Sequence, residues 1–195
     1  MLVIFRHGRT RWNLEKRLQG QEHNSDLLPV SPELKERVSR EFGHIVFRRL
    51  FISPARRARD YADILGLNSR EKLIEPSLNE IAFGEWSGLR LEDIEPRILR
   101  ERERDKWNWR PPKGESYHDV SVRLGGFIRQ LKSLEDEDIA VIGHETCNKV
   151  LIGGLLGFSR GEILGLRQPN DCVYKIENRI LYRKNFTGKT TWEKL

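Results

Sequence analysis

Hydrophobic residues fall along this chain in short runs that alternate with amphipathic stretches, and the alternation reads as strand, helix, strand, helix. Leu2 to Phe5 is an unbroken apolar run, the pattern of a strand covered on both faces. The stretch from Leu14 to Ser31 is polar, contains Gly20 and reads as a loop. Ser31-Pro32-Glu33-Leu34 has a capping serine followed by a proline suited to the first helical position, and the helix it opens runs to about Phe42, with Gly43 as its end. Ile45 to Ile52 predicts a second strand, interrupted by Arg48 and Arg49. Ser53-Pro54 again reads as cap and first residue of a helix. Ala58, Tyr61, Ala62 and Leu65 share one face of that helix, and Gly66 closes it.

Lys72 to Glu75 predicts a short strand, and Leu78 to Leu89, rich in glycine and aromatics, an ordered loop. A charged helix is predicted from about Leu91 to Trp107, broken by Arg110-Pro111-Pro112-Lys113-Gly114. A long helix follows from about Ser116 to Ser133, with Val120, Leu124, Phe127, Ile128 and Leu131 facing inward. Asp138 to Gly143 is the strongest strand, and a helix from Thr146 to about Leu156 comes after it, capped by Gly157. Cys172 to Glu177 and Ile180 to Lys184 read as two strands joined by a tight turn at Asn178-Arg179, and beyond Phe186 the pattern predicts a loose tail. No repeat or low-complexity linker interrupts the chain, so residues 1–195 are expected to form one α/β domain.

Composition narrows the class. The chain is 37% hydrophobic and 33% charged, and no stretch approaches the roughly 18 apolar residues of a membrane span. No membrane partner is therefore expected. Two cysteines, Cys147 and Cys172, make no disulfide framework and no zinc spacing, and with no secretory signal the cytoplasm is the expected compartment. The net charge of +6 raises nucleic acid as a partner, but mixed-sign stretches such as Arg100 to Lys106 read as solvated helix faces, and no recognition motif is present.

The chemistry gathers where apolar runs stop. Arg6-His7-Gly8 ends the first strand, Gly143-His144 ends the strongest one, and Ser53 with Arg57 follows another. In an open α/β sheet such strand ends are where ligands bind. Adjacent parallel strands would bring two imidazoles, guanidiniums and a helix N-terminus to one point, an anion site suited to phosphate. Gly8 would let the backbone approach the anion without a Cβ in the way. A neutral imidazole there is a nucleophile toward phosphorus, and a carboxylic acid is needed for the leaving group. Glu80 is the candidate, with Glu85 its competitor.

Arg6-His7-Gly8-x-Thr10-x-x-Asn13 resembles the signature of the histidine phosphatase superfamily, in its phosphoglycerate mutase-like branch. Four more segments match in order: Ser53-x-x-x-Arg57-Ala58, Leu78-x-Glu80-x-x-Phe83-Gly84-x-Trp86-x-Gly88, Gly114-Glu115-Ser116 with Arg123, and Gly143-His144. The resemblance implies a three-layer α/β/α sandwich around a mostly parallel sheet. It implies His7 as the nucleophile that becomes phosphohistidine, Glu80 as general acid and then base, and His144 as a catalytic and phosphate-holding partner. Arg6, Arg57 and Asn13 are implied as phosphate ligands, and Gln19, Gly20 and Trp86 as substrate contacts. It implies no metal and no cofactor. The partner expected is a small phosphorylated substrate, and a homodimer is left open. Gly143-His144-x-x-x-Asn148-Lys149 and Gln168-x-Asn170-x-Cys172 are similar to the small members of the family, which include α-ribazole phosphatase and broad-specificity phosphatases. A phosphomonoester hydrolase is the reading; a mutase and an inactive-site binding protein are the alternatives.

Glu145 departs from the family pattern, where a small residue is usual, and it would repel a phosphate unless it points away or pairs with an arginine. His23 lies in the covering loop, within reach of substrate; His44 and His118 are expected at the surface; Arg56 and Arg59 read as a solvated face; Cys147 is an oxidation-sensitive candidate. Gly188-Lys189-Thr190 resembles the end of a phosphate-binding loop, but Arg183 stands where that motif needs glycine.

Overall fold

The structure is a computed structural model that describes residues 1–22, 26–187 and 191–195. His23 and the Gly188-Lys189-Thr190 segment lie outside the described residues. The strands are β1 (Leu2–Arg6), β2 (Phe47–Ile52), β3 (Ser69–Ile74), β4 (Ile139–Gly143), β5 (Cys172–Glu177), β6 (Ile180–Asn185) and β7 (Glu193–Lys194). The helices are α1 (Arg11–Leu14), α2 (Pro32–Phe42), α3 (Arg56–Leu65), α4 (Pro96–Arg104), α5 (Tyr117–Lys132), α6 (Glu145–Leu156) and α7 (Arg160–Gly165). The strands form one sheet in the order β3-β2-β4-β1-β5-β6-β7, parallel from β3 to β1 and antiparallel beyond.

The alternation of side chains in the strands divides the interior into two cores. Ile4, Phe51, Ile139 and Val141 face α5 and α6, where they meet Val120, Leu124, Phe127 and Leu151. Val3, Phe5, Leu50, Ala140 and Ile142 face α2 and α3, where they meet Val38, Phe42, Ala58 and Tyr61. This is the three-layer sandwich the sequence implies. Both faces of β1 and β4 are covered, which is why both read as continuous apolar runs. Each large apolar side chain buried this way contributes about 1.5–3 kcal/mol relative to exposure.

Several elements differ from the sequence reading. The Ile45 strand starts at Phe47. The short strand predicted from Lys72 starts at Ser69 and stops at Ile74; it is an exposed edge, where charged residues hide the strand pattern. The charged helix is split, because Pro96 lacks the N–H to continue a helix; a 3-10 turn at Leu91–Asp93 precedes α4. The short helices α1 and α7 carry no readable period at four and six residues. The tail is anchored: Trp192 Nε1 donates to Glu41, and β7 pairs with β6. Ser31 caps α2 as read, but Ser53 does not cap α3, whose cap position is Ala55. Asn178 and Arg179 both have positive φ, as a two-residue hairpin turn of type I′ requires.

Two glycines hold the site-bearing loops in place. A Cβ on Gly8 would lie 2.9 Å from the Tyr61 ring, so this glycine admits α3 to the strand end, a packing demand the sequence reading does not include. Gly84 has φ +53°, and a Cβ there would lie 2.1 Å from the Pro112 carbonyl oxygen. Gly84→Ala is expected to destabilise the fold by about 1–3 kcal/mol from the backbone strain alone, with the clash added. The midpoint of urea unfolding measures it; an unchanged midpoint would show that the loop re-forms without strain.

Candidate functional site

Parallel pairing of β1 with β4 sets Arg6 beside Gly143, and the His7 amide donates to the Gly143 carbonyl at 3.0 Å. The Ser53 amide does the same to Ile142 on the other side of β4. His7, His144 and Ser53 therefore stand at one edge of the sheet, and the two imidazole rings are 5.0 Å apart.

His7 Nδ1 is 2.7 Å from the Gly8 carbonyl oxygen. A carbonyl only accepts, so Nδ1 carries the proton and Nε2 presents its lone pair. Arg57 Nε donates to that lone pair at 3.3 Å. Burial and the Arg57 and Arg6 guanidiniums hold the His7 pKa well below the ordinary imidazole range, so the nucleophilic form is the resting form.

Arg57 is 4% exposed and uses its whole fork. Nη1 donates to Glu22 O at 3.0 Å and Nη2 to Gly20 O at 2.7 Å and to His144 Nδ1 at 3.1 Å. Burial lowers its pKa to about 10, which still leaves it cationic at neutral pH. Because His144 accepts at Nδ1, its proton sits on Nε2 and is donated to Ser53 Oγ at 2.8 Å. His144 is fully buried, and burial followed by the Arg57 charge keeps it neutral. It stands behind Arg57, outside the pocket lining.

Glu80 faces the pair from the loop before Gly84. Its carboxylate accepts from Ile81 N at 3.0 Å and from the first turn of α6, Cys147 N at 3.1 Å and Thr146 N at 3.3 Å. Burial nevertheless pushes its pKa above the usual carboxylate range, opposed by those N–H groups and the two arginines. The Gly-Glu-Ser segment positions it. Glu115 binds Arg123 through both oxygens at 3.0 Å, and Arg123 in turn donates to Asn79 O at 3.0 Å.

His7, Arg57, Glu80 and Arg6 line a pocket of about 180 Å³, together with Asn13, Gln19, Gly20 and Glu145. Two N–H groups of its lining residues, Arg6 Nε and Gln19 Nε2, are buried without a hydrogen-bond partner among the described residues. Arg6 and Gln19 both line the pocket, so it is cationic and rich in N–H groups, a setting suited to an anion. Thr10 Oγ1 orients Gln19 by donating to its Oε1 at 3.2 Å. The Asn13 carboxamide oxygen accepts from Thr10 N at 3.1 Å, so its amide nitrogen is what it can offer. Arg6 Nη1 donates to Gln168 O at 2.7 Å and to Glu145 at 2.8 Å, so the departure at 145 is paired with an arginine while still lining the pocket.

The remaining candidates sort by place. Trp86 stacks on Trp109 at 4.7 Å in an adjoining cavity and does not reach this pocket. Glu85 is exposed and paired with Lys113; Arg56 and Arg59 are exposed, as are His44 and His118. Cys147 is buried under Glu80, and burial pushes its thiol far up, so it is not the reactive thiol its helix position suggested. Ser53 stands at this sheet edge as its place after a strand implies, but the sequence does not show its bond to His144, because Ser-Pro mimics a helix start. Among the described residues no group of three or more His, Cys, Asp or Glu side chains is placed to hold a metal ion, and no helix is long and apolar enough to cross a membrane.

Residues 2–180 match the family model of the histidine phosphatase superfamily, branch 1. The chain is 30% identical over 139 residues to 6-phosphofructo-2-kinase 1 of Saccharomyces cerevisiae, a match covering 68% of this chain and 17% of that protein. It is 27% identical over 180 residues to the fructose-2,6-bisphosphatase of the same yeast, covering 90% of this chain and 38% of that one. It thus spans well under two thirds of the length of both relatives. The solved structure of the α-ribazole phosphatase from Shigella flexneri shares the fold, with a TM-score of 0.73 over 92% of each chain at 22% identity. On the match across nearly its whole length, the chain belongs to the histidine phosphatase superfamily, branch 1.

Proposed function

We propose that the chain is a phosphomonoester hydrolase that works through a phosphohistidine on His7. The observation that carries this reading is the unprotonated Nε2 of His7, fixed by the Gly8 carbonyl and faced by the Arg57 guanidinium in a pocket that Arg6 and Glu80 also line. An entering phosphoryl group takes the place of the Arg57 Nε contact. His7 Nε2 attacks phosphorus, the P–O bond to the leaving group breaks, and protonated Glu80 gives its proton to the departing oxygen. Glu80, now a carboxylate, takes a proton from water as that water attacks the phosphohistidine, which releases inorganic phosphate and restores both residues. Arg6, Arg57 and Gln19 meet the phosphoryl oxygens, and His144 acts through Arg57, whose fork it fixes. The likeness to phosphatases supports a small phosphorylated metabolite as substrate, of the α-ribazole phosphate kind or broader. Two free buried thiols suit a reducing compartment such as the cytoplasm.

The test is phosphate release from p-nitrophenyl phosphate by wild type and His7→Ala. Release in the wild type and none in the variant is expected; no release from any ester, with transfer appearing only on addition of a phosphorylated donor, would turn the reading to a mutase. The pH profile has a fixed sense. kcat/KM rises as His7 loses its proton, well below the ordinary imidazole range, and falls as Glu80 loses its own, above the ordinary carboxylate range. Glu80→Gln is expected to remove the falling limb and to lower kcat by about a hundredfold to ten-thousandfold.

Glu145 adds a second expectation. Glu145→Gln removes a negative charge from the pocket wall and frees Arg6 Nη1, which is expected to raise kcat/KM for p-nitrophenyl phosphate about two- to fivefold. An unchanged or lower value would show that the ion pair serves chiefly to orient Arg6.

A further inference from the structure

Phe83, Glu145 and Thr146 line the phosphoryl pocket and also a second cavity of about 310 Å³, so the two are neighbours across a shared wall. The second cavity is where the rest of a phosphomonoester would lie. One side of it is aromatic, with the Trp86–Trp109 stack and Tyr117.

Its charges do not cancel. Each of its three carboxylates already has a cation. Glu103 pairs with Arg102 at 2.7 Å and Lys106 at 3.2 Å, Glu115 with Arg123 at 3.0 Å, and Glu145 with Arg6 at 2.8 Å. Two cations remain. Lys149 is 1% exposed, and its ammonium has a single hydrogen-bond partner among the described residues, the Leu164 carbonyl at 3.2 Å. Arg167, on the loop after α7, is exposed and makes no ion pair among the described residues. The two feel each other: burial lowers the Lys149 pKa to about 8, and after the opposing charge of Glu145 the Arg167 guanidinium is the next cause. The Tyr117 ring, its centre 5.8 Å from the Lys149 ammonium, compensates part of that burial, but among the described residues no carboxylate pairs with Lys149 or Arg167, and a buried ammonium so placed is costly unless an anion completes the site.

We propose that this cavity receives the leaving group, and that Lys149 and Arg167 hold a second anionic group on it, a carboxylate or a second phosphoryl. The favoured substrates are then short bis-anionic phosphomonoesters. The inference rests on the hydrolase reading above and names the substrate class of that site. Lys149 sits on α6 five residues after His144, the N-cap of that helix, so one short stretch carries both the partner of Arg57 and the group proposed to read the leaving group.

The experiment compares kcat/KM for n-butyl phosphate, 4-(phosphonooxy)butanoate and butane-1,4-diol bisphosphate, with p-nitrophenyl phosphate as reference, in wild type, Lys149→Met and Arg167→Ala. The wild type is expected to prefer one or both bis-anionic esters over n-butyl phosphate by about tenfold to a hundredfold, and each variant to collapse that ratio toward unity. Which of the two esters is preferred tells carboxylate from phosphoryl. A ratio near unity in the wild type, with p-nitrophenyl phosphate still cleaved, overturns the inference and leaves the hydrolase reading standing. A preference that survives in Arg167→Ala, whose exposed side chain can be removed without disturbing the core, and in folded Lys149→Met also overturns it. Failure to cleave any of the four esters removes the hydrolase reading and this inference with it.

Discussion

A guanidinium taken out of water needs acceptors for its N–H groups, and the centre of this molecule is arranged around that requirement at Arg57, all three of whose nitrogens donate. Its fork reaches His7, His144 and the Gly20 and Glu22 carbonyls, contributions from three separate segments of the chain. Few positions satisfy all of these at once. The Gly20 turn has to come back over the sheet, α3 has to start where Ala55 lets it, and β1 and β4 have to be in register. The two histidines are consequently locked in opposite tautomers, His7 unprotonated at Nε2 and His144 at Nδ1, each accepting from Arg57.

The parts of this arrangement that sequence reveals are those in which one physical demand acts alone. Leu2–Phe5 and Asp138–Gly143 are readable because a strand covered on both faces has to be apolar throughout, and the histidines after them are readable because strand ends are where polar groups can begin. α5 is readable because one face packs on the sheet while the other meets water. Where two demands overlap, the pattern misleads. Ser53-Pro54 satisfies the chemistry of a helix start, but its hydroxyl is taken by His144. Gly8 suggests room for an anion, while the packing of the Tyr61 ring against it depends on a contact that sequence does not reveal. β3 is an edge strand with polar side chains on its surface, so its first half has no alternation to read.

Distance in sequence hides the rest. Nothing local links Gln168 to Arg6, or Arg123 to the Glu80 loop, and Lys149, the one lysine of α6, becomes informative only once the cavity beside it is in view. The braces are side chains to backbone carbonyls, and such bonds leave no mark in composition or periodicity.

The burial that prepares His7, His144 and Glu80 also sets a thermodynamic load on the native state. As pH falls through the ordinary imidazole value of 6.5, the unfolded chain takes up protons that both buried rings refuse, so stability declines toward acid. As pH rises through the ordinary carboxylate value of 4.5, the unfolded chain releases a proton that Glu80 keeps, so stability declines in the other direction. The two windows overlap, and no pH relieves both. The sheet and its two cores carry this load permanently, and the residues that arm the pocket are residues the fold alone would be more stable without.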